Sequence, residues 1–188
     1  MKRDITRALV DEHSLILRML AVLERNAIRT ARGEFGDYRF YIEAVDFIRN
    51  FADRFHHAKE EDILFEALVA NGMPRANSPV SAMLMEHDRG REYVRAMEEA
   101  AQAALAGVPG RDGAIALAAM SYLELLREHI SKEDGILYPL AERLIPEGMR
   151  DGIAAGYRDA EERGGEGFAR RYEEMVAACE VEAGLDAA

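Results

Sequence analysis

The sequence holds one cysteine and no tryptophan in 188 residues. A lone thiol, Cys179, cannot form an internal disulfide or a thiolate metal site. Proline is scarce, at 5 residues, so little interrupts a long helix. No stretch of 18 consecutive apolar residues is present, which excludes an obvious membrane span. Met1 to Val10 lack the apolar segment of a signal peptide. These two absences set the expectation of a cytoplasmic protein with no membrane partner. Lysine and arginine form no stripe, so no footprint for nucleic acid is visible. Histidine is also rare, at 5 residues, and where those five stand becomes the central question.

What is abundant points one way. Hydrophobic residues make up 49% of the chain and charged residues 31%, with a formal net charge of -11. That is the composition of a folded globular protein, and the length fits one domain with a sizeable core. Ala, Glu, Leu, Arg and Met dominate and lose little side-chain entropy in a helix, so the expected class is all-α. Apolar spacing predicts four long helices, at about 4–32, 37–70, 78–106 and 112–145. Gly33, Asn71-Gly72-Met73-Pro74 and Gly107-Val108-Pro109-Gly110 separate them, and a kink is expected at Gly135 and Pro139. Short connections imply antiparallel neighbours, hence an up-down-up-down four-helix bundle over residues 1–146. Residues 147–188 read as a helical extension packed on that bundle.

The chain also repeats itself. Glu12-His13 is followed by His57, 44 residues after His13, and Glu86-His87 by His129, 42 residues after His87. His57 carries Glu61 four residues on, and His129 carries Glu133. Each half is therefore a helical hairpin with one His on its first helix and His-x-x-x-Glu on its second. Residues i and i+4 lie on one helix face, about 5–6 Å apart at Cβ. In an antiparallel bundle His13, His57, Glu61, His87, His129 and Glu133 fall near one level, on inward apolar stripes. Six buried ionisable groups are costly unless paired or metal-bound. Imidazole with carboxylate suits iron, manganese or zinc, and two carboxylates favour two metals.

This arrangement resembles the hemerythrin-like proteins called HHE cation-binding domains, over about residues 5 to 145. His56-His57-Ala58-Lys59-Glu60-Glu61 is similar to their eponymous segment. The resemblance implies two non-haem iron ions, oxo- or hydroxo-bridged, that bind dioxygen or a related ligand such as nitric oxide or peroxide. Zinc and manganese remain alternatives. The dioxygen carriers of the family place two histidines four apart on the third helix, whereas Met83 and Arg91 flank His87 here. One histidine ligand is thus missing, its place left open or filled by Glu60, His56, Glu86 or a tyrosine. That weakens reversible dioxygen carriage and leaves a peroxide or nitric oxide enzyme, or a sensor signalling through the C-terminal helices, as alternatives.

The remaining expectations are local. His56 and Glu60 read as a surface pair on a neighbouring face. Glu12 and Glu86 read as helix-edge residues or as acceptors for ligand imidazoles. Phe47, Phe51 and Phe55 read as core. Tyr122, seven before His129, reads equally as core filler or as a hydrogen-bonding group at the site.

Overall fold

The computed structural model describes residues 3–185 and is all-α, an up-down-up-down four-helix bundle with two further helices at its C-terminal end. The ends of the expected segments 1–146 and 147–188, at residues 1–2 and 186–188, lie outside the described residues. The bundle consists of α1 (Arg7–Ala31), α2 (39–70), α3 (Pro79–Leu105) and α4 (112–144). Each packs antiparallel on its neighbours, and α4 closes the ring on α1. The extension consists of α5 (Glu147–Gly164) and α6 (Phe168–Ala183).

Local chemistry accounts for the ends. Gly33, at φ 70, lets α1 turn off with backbone bonds from Gly33 N to Thr30 O and from Glu34 N to Arg29 O. Ser78 caps α3 reciprocally with Ser81, and Pro79 sits in the first turn, where no backbone donor is lost. Both α2 and α4 run without a break but widen into π-helical turns, at Ile48–His57 and Glu60–Leu64 in α2 and at Glu133–Leu137 in α4. The π turn at Glu133–Leu137 stands where the sequence suggested a kink. Pro139 follows in the first turn of the resumed α-helix.

Two apolar clusters fill the bundle, one at each end. The larger holds Ile16, Leu20 and Leu23 of α1, the stacked row Phe47, Phe51 and Phe55 of α2, Met97, and Tyr122 with Leu126 of α4. The smaller holds Leu9, Leu64, Phe65, Leu68, Met83, Leu137 and Tyr138. Each fully buried large apolar side chain contributes about 1.5–3 kcal/mol. Between the two clusters lies a polar layer, and every histidine is in it.

Helices α5 and α6 lie on the outside of α1 and α2. Arg18 of α1 donates to Glu180 of α6 at 2.9 and 2.6 Å, and the Tyr172 hydroxyl donates to Asp46 at 3.0 Å. Arg150 of α5 is fully buried and donates to the backbone oxygens of Arg3, Glu142 and Ile145 and to the Glu142 carboxylate, tying the α4–α5 corner together. Gly156 faces Ile63, whose Cδ1 would lie 3.2 Å from an added Cβ. Among the described residues no helix is long and apolar enough to cross a membrane.

Candidate metal centre

All five imidazoles are buried, at 1 to 6% exposure. Each turns Nδ1 outward to a carboxylate: His13 to Asp134 at 2.8 Å, His56 to Glu12 at 2.8 Å, His87 to Glu61 at 2.7 Å, His129 to Glu86 at 2.9 Å and His57 to Asp53 at 3.4 Å. A carboxylate accepts, so each Nδ1 carries a proton, and in the neutral ring that a metal requires Nε2 presents a lone pair. Those Nε2 lone pairs point inward. His87 Nε2 and His129 Nε2 are 3.0 Å apart, with no proton left to join them.

Two glutamates occupy the same interior. Glu133 Oε1 is 3.1 Å from His129 Nε2, and its Oε2 is 3.3 Å from His13 Nε2. Glu60 Oε2 lies 3.6 Å from His87 Nε2 and 3.7 Å from His56 Nε2. Each carboxylate therefore spans two helices' imidazoles. Glu60 Oε2 and both Glu133 oxygens are buried without a hydrogen-bond partner among the described residues. Lone pairs facing lone pairs repel, and orphaned carboxylate oxygens are costly to bury. A cation resolves both. The donors gather in two groups with ligand atoms within 4.8 Å of one another: His57, Glu60, His87 and His129, and His13, His56, Glu60 and Glu133. Mixed imidazole and carboxylate donors, with each outer nitrogen hydrogen-bonded, fit first-row divalent metals such as iron.

The field of the interior agrees. Burial, with neighbouring imidazoles, presses His57 and His87 down to about 3. Burial also opposes charge on His13, but its hydrogen bond to Asp134 and the nearby Glu133 carboxylate outweigh this and lift it to about 9, so the surroundings of His13 favour positive charge. Burial and the adjacent Glu133 push Glu60 well above the usual carboxylate range. Glu133, equally buried, is held well below it by His129 and His13. Two carboxylates in one dry space cannot both ionise without positive charge beside them.

The structure gathers His13, His57, His87, His129 and Glu133 of the sequence-derived set, but not Glu61. The Glu61 carboxylate is only partly buried and accepts from His87 Nδ1 and from Arg91 at 2.8 Å. Glu60, fully buried, holds the interior position instead. His56, at 1% exposure, faces inward as well, which corrects the surface-pair reading of His56 and Glu60. The physical reason is the π turn: its slower angular advance changes which residues share the inner face. A signal was present in the sequence. Aligning Lys59 with Lys132 sets His56-x-x-Lys59-Glu60-Glu61 over His129-x-x-Lys132-Glu133-Asp134. In that register Glu61 and Asp134 match, and both accept from the Nδ1 of a first-helix histidine.

The outer ring repeats too. Glu12 bonds His56 and Lys59, and Glu86 bonds His129 and Lys132. Symmetry then breaks in three places. Ile130 stands where the first hairpin has His57. Tyr138, donating to Glu60 at 2.6 Å and 3.4 Å from His13 Nε2, stands where the first hairpin has Phe65. Lys59 is fully buried with Glu161 of α5 3.3 Å away and the Phe55 ring beneath it, whereas the Lys132 side chain is 38% exposed.

The family model of the hemerythrin HHE cation binding domain matches residues 4–141. Among curated proteins, uncharacterized proteins of Mycobacterium tuberculosis and Mycobacterium bovis are each 26% identical to the chain over 157 residues. The match covers 82% of this chain and 60% of each relative, so the chain spans about 60% of the length of the curated relatives it matches. No solved structure matches significantly.

Proposed function

Because the chain belongs to the hemerythrin HHE cation-binding family, we propose that it holds two non-haem iron ions in the polar layer and binds dioxygen or a related small molecule there. His57, His87 and His129 would hold one ion, and His13 and His56 would hold the other. Glu60, common to both donor groups, would serve either ion, and Glu133 would stand between His13 and His129. Bound iron supplies reversible coordination of a small ligand and one-electron chemistry.

The observation that supports this reading is the shared orientation of the imidazoles. Asp53, Glu12, Glu61, Glu86 and Asp134 fix every tautomer with Nε2 inward. The protein groups do three things toward the metals. The outer carboxylates orient the rings, the paired interior glutamates supply balancing charge, and the two apolar clusters exclude bulk water. Helices α5 and α6 serve as a cover for one side, with Glu161 closing over Lys59.

An anaerobic-to-aerobic titration tests the proposal. Ferrous-loaded protein exposed to dioxygen should develop the charge-transfer absorption of a bridged diferric pair. Protein that binds ferrous iron yet stays spectrally silent towards both dioxygen and nitric oxide would refute ligand binding.

A further inference from the structure

We infer that the chain pairs with a second copy of itself through the groove between α1 and α4, about a two-fold axis that passes midway between the levels of Leu117 and Met120. The groove lies at the end of the bundle filled by the larger apolar cluster, and the inference does not depend on the metal centre.

The folded chain leaves an apolar surface there. The groove holds about 420 Å³, and its lining includes the small residues Ala27, Ala31, Gly113 and Ala116. Small side chains let a second helix approach closely. Beside them stand Ile28 at 39% exposure, Met120 at 37% and Leu117 at 70%. One exposed leucine is ordinary. Three large apolar side chains around one groove form a patch of the kind that marks an interaction surface.

The placement of charge selects the partner. A two-fold axis at this point brings Leu117 of each copy level with Met120 of the other. Gly113 stands four residues before Leu117 and Glu124 four after Met120, so Gly113 comes level with Glu124 of the second copy. Arg32 lies beside Gly113 in the groove. It therefore meets Glu124 of the second copy, and the axis makes that pair twice. Arg32 and Glu124 are both exposed, and neither has an ion pair among the described residues. Arg127, three residues after Glu124, is already bound to Glu24 of its own chain at 2.9 and 2.7 Å. An apolar centre with charge at its rim is the usual anatomy of a protein interface. Here one surface carries both signs at matching distances from the centre, which is what a second copy requires.

Sedimentation velocity of the full-length protein over a wide concentration range tests this. The unmodified protein should pass from monomer to dimer as concentration rises. Leu117→Glu should weaken pairing at least about hundredfold, because it buries an unpaired carboxylate near the axis in each copy. Arg32→Glu and Glu124→Arg should each weaken it about tenfold, and the two together should restore it. The substituted side chains are exposed, so the fold should be kept, as circular dichroism checks. Protein that stays monomeric at every concentration would overturn the inference, as would a dimer that Leu117→Glu leaves intact. A double variant that pairs no better than either single one would overturn the register.

Discussion

His87 Nε2 lies 3.0 Å from His129 Nε2 while Glu61 and Glu86 hold a proton on the opposite nitrogen of each ring. Two such lone pairs repel at that distance unless a positive ion lies beside both. The same conflict recurs around Glu133, whose two oxygens have no hydrogen-bond donor among the described residues. Helix packing alone gives no reason to build this layer. Metal binding does.

Metal removal therefore weakens the fold. A ligand at about 100 times its Kd adds about 2.7 kcal/mol to the folded state. For a chain of this size that raises Tm by about 5–10 °C. Differential scanning calorimetry of chelator-treated and iron-reconstituted protein should show that gap, and equal melting temperatures would argue against a built metal site.

Neighbouring glutamates should behave differently. Glu60→Gln removes an interior charge shared by both donor groups and should abolish stoichiometric metal binding. Glu61→Gln loosens only the His87 ring and its tie to Arg91. It should weaken metal affinity by about 10–100-fold and leave the stoichiometry intact. Competition with a calibrated chelator separates the two, and the reverse ranking would restore the Glu61 register.

The two lysines of the repeat offer a second contrast. Lys59→Met strips a fully buried cation from Glu12 and Glu161 and should cost about 3–5 kcal/mol, because it leaves a buried charge unpaired. Lys132→Met acts at a half-open position and should cost about 1 kcal/mol or less. Urea melts of both variants measure the difference, which similar values would contradict.

Cys179 should be a poor nucleophile. Burial, with Glu43, Glu182 and Glu180 nearby, raises its thiol to about 11. The thiolate is the reactive form, so little of it is present at pH 8. A disulfide reagent should label native protein far more slowly than urea-unfolded protein, with the rate climbing towards pH 11.

The four long helices, their breaks and the two-hairpin repeat were legible because apolar spacing, glycine and proline act locally. Spacing likewise sets His13, His57, His87, His129 and Glu133 on inward faces, where they are buried. Glu60 and Glu61 were exchanged because α-helical periodicity was carried through a stretch that is π-helical. Nothing in residue spacing alone announces that turn, although the matched Lys59 and Lys132 fix the alignment. His56, which α-helical spacing sets on a neighbouring face, reaches the interior beside His57 for the same reason.

The most direct check is metal analysis of the full chain, reconstituted anaerobically with ferrous iron and then desalted. The account predicts about two iron ions retained per chain, with X-ray absorption dominated by imidazole nitrogen and carboxylate oxygen. Desalted protein that keeps no iron, while its histidines titrate as free imidazoles, would contradict it.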